Sequence, residues 1–280
     1  MTERAIPFVK MSGSGNDFIL IDNRTNLVDP EQAAPFVRAV CRRGMSVGAD
    51  GLILLAADPQ GEVDFGWRFF NSDGSESEMC GNGGRCAVRY AMDLGLAGRE
   101  TAFRTRAGVI RGQVLDNREV RVQLTEPSDY RPQVRIDIHG EAVYLAYLDA
   151  GVPHAVLVVP DAEAVDVARV GRLVRQHAAF APRGANVNFV QVLSASDVII
   201  RTYERGVEGE TLACGTGCAA AAITLTLADR VKQPVRLRTR GGEVLTVDFT
   251  REGDLAMRPT LQGLVRYLSV GMIHPEAWAE

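Results

Sequence analysis

Lysine is nearly missing from this chain of 280 residues, which has only Lys10 and Lys232. Lys10 lies in an opening strand and Lys232 follows a helix end, so neither sits where a Schiff-base lysine of a pyridoxal enzyme is expected. A Gly-x-Gly-x-x-Gly turn between a strand and a helix is also lacking, as is a P-loop, so the two common nucleotide cradles are excluded. No basic excess exists: the net charge is −4, and arginines such as Arg111 and Arg121 alternate with acids as on a solvated strand face. Nucleic-acid binding is therefore not expected. No apolar run is long enough to span a bilayer, and Thr2-Glu3-Arg4 does not open a secretory signal, so a cytoplasmic protein without membrane contact is predicted. Cysteine is scarce and odd in number, at five (Cys41, Cys80, Cys86, Cys214 and Cys218), which suits reduced thiols better than a disulfide framework.

What is present is a repeat. Cys80-Gly81-Asn82-Gly83 and Cys214-Gly215-Thr216-Gly217 each open an apolar helical stretch. Gly15-Asn16-Asp17-Phe18 is echoed by Gly151-Val152-Pro153-His154, and Gly48-Ala49-Asp50-Gly51 by Gly184-Ala185-Asn186-Val187, both pairs 136 positions apart. Three ordered likenesses at nearly constant spacing indicate a duplicated, domain-sized unit. We expect an α+β fold of two pseudo-symmetric domains, each a curved, mostly antiparallel or mixed sheet around one long helix, with the site in the cleft between them. The expected boundaries are 1–124 plus 265–280 for the domain with Cys80, and 125–264 for the domain with Cys214.

The pattern predicts helices over 29–43, from the Gly-rich turn at 83 to 94, over 165–176 and over 218–228. Strands are expected at 51–57, 67–70, 101–124, 143–148, 155–159, 187–192 and 198–203, with a hairpin turning at Gly241-Gly242. A last strand at 264–273 is expected to return to the first domain. The segments 71–83 and 204–217 read as loops.

A thiolate at a helix N-terminus is favoured by free N–H groups and the helix dipole. Two such cysteines suit an acid–base pair that removes an α-proton from one face of an amino acid and returns one to the other. That is the chemistry of a cofactor-free racemase or epimerase. Phe69-Phe70-Asn71-Ser72-Asp73-Gly74-Ser75, Cys80-Gly81-Asn82-Gly83-Gly84-Arg85-Cys86 and Tyr203-Glu204-Arg205-Gly206-Val207-Glu208-Gly209-Glu210-Thr211-Leu212-Ala213-Cys214-Gly215-Thr216-Gly217 resemble the diaminopimelate epimerase family. So do Lys10-Met11-Ser12-Gly13-Ser14-Gly15-Asn16-Asp17-Phe18 and Gly184-Ala185-Asn186-Val187-Asn188-Phe189, and the likeness spans essentially the whole chain.

The resemblance implies an isomerase of lysine and peptidoglycan precursor biosynthesis that interconverts LL- and meso-2,6-diaminopimelate. It implies no cofactor, no metal, and a homodimer. By that likeness Cys80 and Cys214 are the acid–base pair, and Gly81, Asn82, Gly215 and Thr216 offer backbone donors to the reacting carboxylate. His154 and Glu204 bind or orient the reacting amino group, while Asn16, Asn71, Asn186 and Arg205 hold the distal end. Gly51 and Val152, also on the substrate side, depart from the glutamine and asparagine frequent in the family.

Plainer readings stand beside these. Cys41, Cys86 and Cys218 read as packing residues, and His139, His177 and His274 as surface or packing histidines. Four thiols would suffice for zinc, yet their spacing lacks the short paired loops of structural sites. A related racemase of proline, hydroxyproline or histidine is the alternative enzyme, and a non-catalytic metal or redox protein the alternative of another class.

Overall fold

In the computed structural model, which describes residues 4–116, 118–253 and 255–279, the glycines paired by the repeat share a backbone conformation. Gly15 and Gly151 have φ of 96° and 90°, and Gly48 and Gly184 have 69° and 62°, a region that side chains beyond glycine seldom adopt. Each pair ends a turn that feeds a strand, so the sequence repeat is a repeat of chain path.

The chain divides into two compact units, Met1–Val122 with Gly263–Glu280, and Gln123–Gln262. Unit 1 contains β1 (Ile6–Gly13), β2 (Asn16–Asp22), α1 (Ala33–Val40), β3 (Gly51–Ala56), β4 (Phe65–Asn71), β5 (Glu76–Ser77), α2 (Gly81–Asp93), β6 (Glu100–Thr105), β7 (Gly108–Val114) and β8 (Glu119–Gln123). Unit 2 contains β9 (Ser128–Ile138), β10 (Glu141–Asp149), β11 (Pro153–Val158), α3 (Val167–Arg175), β12 (Asn186–Val192), β13 (Asp197–Glu204), β14 (Gly209–Thr211), α4 (Gly215–Leu227), β15 (Val235–Arg238) and β16 (Val244–Glu252). The strand β17 (Leu255–Ile273) starts in unit 2, antiparallel to β16, and ends in unit 1, antiparallel to β1.

The strand pairings repeat. In unit 1, β1 is antiparallel to β2, β2 parallel to β3, β3 antiparallel to β4, β4 antiparallel to β5 and parallel to β6, and β6 antiparallel to β7. In unit 2 the same relations run through β10, β11, β12, β13, β14, β15 and β16.

Two-residue periodicity assigns each strand face. Ile19, Ile21, Leu52 and Leu54 join one buried cluster with Phe36, Val37 and Val40 of α1. On the opposite face of β2 and β3, Phe18 and Ile53 approach Gly83 in the first turn of α2. In unit 2, Ala155, Leu157, Val187 and Phe189 cluster with Val167 and Val174 of α3. The other face of β11 and β12 carries His154, Asn186 and Asn188, which are buried polar residues. Each aliphatic or aromatic side chain so buried contributes about 1.5–3 kcal/mol. The helix α4 is buried from Gly217 to Leu227 and packs against β10, β11, β12, β13, β15 and β16. Its run Ala219 to Ala222 keeps that helix thin enough for strands to approach closely.

Several elements differ from expectation. The first predicted helix is broken into a 3₁₀ turn, Pro30–Gln32, capped by Asp29, and the shorter α1. Both cysteine helices begin at the residue after the cysteine, so α4 starts three residues before the predicted 218. The supposed loops contain the short strands β5 and β14. The eleven-residue β9 was not expected at all; only Ile136 is buried in it, and pairing with β10 holds it.

Candidate active site

Cys80 and Cys214 occupy the same structural position, the N-cap of a thirteen-residue helix, with φ/ψ of −143°/114° and −123°/111°. First-turn N–H groups have no partner within their own helix, so each cysteine heads a row of donors. The Cys80 sulfur accepts from Gly83 N–H at 3.4 Å and is half-buried. The Cys214 sulfur lies 3.5 Å from Thr216 Oγ1 and is buried.

The helix head is not enough to lower the Cys214 pKa. Burial first, and the Glu204 charge second, push its thiol well above the ordinary cysteine range, against hydrogen bonds from Thr216 and Gly217. Cys214 therefore holds its proton at neutral pH. Cys41 and Cys86 are buried and pushed up to about 12, chiefly by desolvation, as expected of packing thiols.

The surroundings of the twin heads differ. A Cβ built on Gly83 would meet Ile53 Cδ1 at 3.2 Å and Phe18 Cε1 at 3.5 Å, so the Cys80 helix starts over an apolar floor. A Cβ on Gly217 would meet Asn188 Oδ1 at 2.4 Å, and Cys214 Cβ and Sγ at 3.3 Å. The Cys214 helix starts over the Asn188 amide, whose nitrogen lies 3.1 Å from His154 Nδ1.

Unit 1 brings Asn16, Asn82, Gly51 and Asn71 into one neighbourhood. Asn16 Nδ2 donates to Asp50 Oδ2 at 3.0 Å, and Asn82 Nδ2 donates to Asn16 Oδ1 at 2.8 Å. A carboxylate only accepts, so Asp50 fixes both amides and leaves Asn82 Oδ1, buried and without a partner among the described residues, as an acceptor at the helix head. Asp50 is itself held by Arg43 at 2.8 Å. Burial works against the Asp17 charge, yet hydrogen bonds from Arg43 and Lys10 hold its carboxyl below the usual range. Lys10 also donates to Gly48 O at 2.6 Å, which makes it a brace for the repeated glycine turn. Gly51 pairs with Asn71 across β3 and β4. A Cβ on Gly51 would lie 2.6 Å from Phe70 O and 2.8 Å from the Phe69 ring, so the chain leaves no room there for a side chain such as glutamine.

Unit 2 brings His154, Asn186, Glu204, Arg205, Gly215 and Thr216 to the Cys214 side. His154 pairs with Asn186 across β11 and β12, and Asn186 Oδ1 accepts from Arg205 N–H at 2.7 Å. The Arg205 guanidinium reaches Arg183 O at 3.3 Å. Desolvation, with Arg205 second, lowers the His154 pKa to about 3, so the ring is neutral. Among the described residues no three His, Cys, Asp or Glu side chains gather as a metal site requires.

Sequence reasoning missed Asn188, Thr202 and the Asp17–Asp50–Arg43 cluster. Asn186 and Asn188 stand two apart in an otherwise apolar strand, which places both on one face. That spacing was the available signal for Asn188.

The fold is shared with solved chains that include a hydroxyproline epimerase from Agrobacterium vitis and a phenazine biosynthesis protein of the PhzF family from Bacillus anthracis, at TM-scores of 0.71 and 0.73 and 16% and 13% identity. It matches a probable proline racemase from Agrobacterium radiobacter with a TM-score of 0.72 at 17% identity, covering 98% of this chain and 96% of that one. In sequence, residues 8–129 and 146–258 match the diaminopimelate epimerase family model. The diaminopimelate epimerase of Aquifex aeolicus is 50% identical over 88% of this chain and 90% of its own length. That of Hydrogenobaculum sp. is 42% identical over 92% and 98%. The chain belongs to the diaminopimelate epimerase family.

Proposed function

We infer that this chain is a cofactor-independent isomerase that interconverts LL- and meso-2,6-diaminopimelate by proton transfer between two thiols. The observation that carries the reading is the pair of N-cap cysteines, Cys80 and Cys214, at equivalent positions of a duplicated chain path. In one direction the Cys80 thiolate takes the α-proton from one face, and the Cys214 thiol gives its own proton to the other. The reverse direction starts with the protonation states exchanged. The buried, proton-holding state of Cys214 supports its starting as the acid.

The α-carbanion is stabilised if its carboxylate, becoming enediolate, sits against the first-turn N–H groups of Gly81, Asn82, Gly215 and Thr216. Arg205 suits the distal carboxylate as a planar donor, with Asn16, Asn71 and Asn186 beside it, and Glu204 suits an ammonium group. The reading requires both helix heads to flank one substrate, in two pseudo-symmetric domains close to 1–124 plus 265–280 and 125–264. The repeated strand pairings and paired positive-φ glycines support that layout. A cytoplasmic homodimer completes the proposal. No helix among the described residues is long and apolar enough to cross a membrane. The exposed Leu268, Val270 and Met272 of β17 offer an apolar face for a second copy.

Proton NMR of LL-diaminopimelate in deuterium oxide tests this. The wild-type protein should wash out the α-proton and build the meso form, and Cys80→Ala and Cys214→Ala should each lose at least about 10²-fold in rate. No exchange by the folded, reduced wild type refutes the substrate. Turnover of proline in its place would favour the second reading, for which the blocked Gly51 position is the motive.

A further inference from the structure

The protonation of the His154 ring can be read from its neighbours. Asn188 Nδ2 lies 3.2 Å from the carbonyl oxygen of Ala155, and a carbonyl only accepts, so the amide must present its NH₂ there. The same nitrogen lies 3.1 Å from His154 Nδ1, which must therefore carry a lone pair. Asn188 Oδ1 accepts from Thr202 Oγ1 at 3.0 Å, on the strand directly opposite. Turning the amide over would set its oxygen against the Ala155 carbonyl, an acceptor facing an acceptor, and lose that bond. A neutral imidazole with a bare Nδ1 carries its proton on Nε2. That Nε2 is buried and has no partner among the described residues, and a buried N–H left so calls for a ligand.

We propose that Asn188 is a positioning residue that locks His154 as the Nε2–H tautomer, so that His154 gives an uncharged N–H to an anionic oxygen of the bound amino acid. The oxygen belongs to the reacting carboxylate or the enediolate it becomes. This deepens the epimerase reading and rests on it. It also differs from the role that the family resemblance implies, in which His154 serves the amino group. An ammonium has only N–H bonds to give, so an N–H facing it is repelled, whereas a carboxylate has only lone pairs. Burial and the neighbouring Arg205 charge keep a second proton off the ring. The lock is specific to this half of the molecule. In unit 1, Phe18 and Ile53 approach the corresponding glycine and can carry no such bond. Asn188 presses on Gly217, and so joins the imidazole to the helix head that carries Cys214.

The chain has four histidines, so nitrogen–proton correlation NMR on ¹⁵N-histidine enzyme resolves the rings, and His154→Gln identifies the signal of interest. The free wild type should show His154 with a protonated Nε2 and a bare Nδ1, unchanged between about pH 6 and 8. Saturating meso-diaminopimelate should move the Nε2 proton downfield. Asn188→Asp puts an acceptor at Nδ1, and should draw a proton there while lowering kcat about 10²-fold, with a much smaller change in KM. A proton on Nδ1 in the free wild type overturns the proposal. So does an Nε2 proton indifferent to substrate, or an Asn188→Asp enzyme that shifts the ring proton and keeps its kcat. The tautomer is read without turnover, so failure of the substrate assignment leaves a separate signature: the predicted ring signals with no α-proton exchange.

Discussion

Alanine placed at the two equivalent glycines of the helix heads should have unequal effects. At Gly217 the new methyl would sit 2.4 Å from Asn188 Oδ1. Asn188 cannot retreat freely, because Ala155, His154 and Thr202 hold its amide at both ends. Overpacking of this kind costs about 1–3 kcal/mol. Losing one of the buried hydrogen bonds costs about 1 kcal/mol more. Alanine returns at most about 1 kcal/mol in helix propensity. Gly217→Ala should therefore destabilise the protein by about 1–3 kcal/mol. At Gly83 the nearest atoms are the ends of side chains, Ile53 Cδ1 at 3.2 Å and Phe18 Cε1 at 3.5 Å, which can give way. Gly83→Ala should stay within about 1 kcal/mol of wild type, with propensity offsetting contact. Urea denaturation of the two variants side by side measures the difference. Equal stabilities, or a Gly217→Ala protein as stable as wild type, would refute the contrast between an apolar and a hydrogen-bonded floor.

The buried imidazole should also shape acid stability. His154 is held near about 3 when folded and returns to 6.5 when unfolded, so between those values only the unfolded chain takes its proton. Stability from this residue is complete above about pH 6.5 and falls by about 1.4 kcal/mol for each pH unit below it. His154→Gln should remove that slope from the acid limb of urea midpoints, and parallel limbs would contradict it. Gly51→Gln should lower stability and expression because its Cβ meets Phe70 O at 2.6 Å. A thermal midpoint equal to wild type would show that β3 and β4 yield more readily than their backbone contact suggests.

The most legible parts of the sequence were those fixed by backbone chemistry. Cysteine before glycine-rich turns marked both helix heads, and the repeated glycines fell where φ is positive. What escaped depended on partners distant in sequence. In β9 only Val134, Ile136 and Ile138 alternate, amid arginines and Pro132, and the strand exists because β10 pairs with it. Asn188 looked like one more strand residue until Ala155, Thr202 and Gly217 surrounded it. Asp50 stood out only as a member of the repeated Gly48-Ala49-Asp50-Gly51 segment, yet its carboxylate orients Asn16, and through it Asn82, across 34 and then 66 residues of chain. The lowered pKa expected at helix heads lost to burial at Cys214, because depth is a property of the assembled unit rather than of the motif.

The strand β17 has a consequence for how the protein is made. Its last residues, with Ile273 in the same buried cluster as Phe36 and with Trp278 against that ring at 5.3 Å, complete the unit that contains the N-terminus. The strand β1 thus waits for the end of β17, far later in the chain. At about 5–20 residues per second, unit 2 has its full length of chain before unit 1 does. During that interval β1 has an unpaired edge and Phe8 lacks part of its cover, so the nascent chain depends on protection from chaperones or on speed. The order of synthesis is the reverse of the order in which the two cysteine helices can be finished.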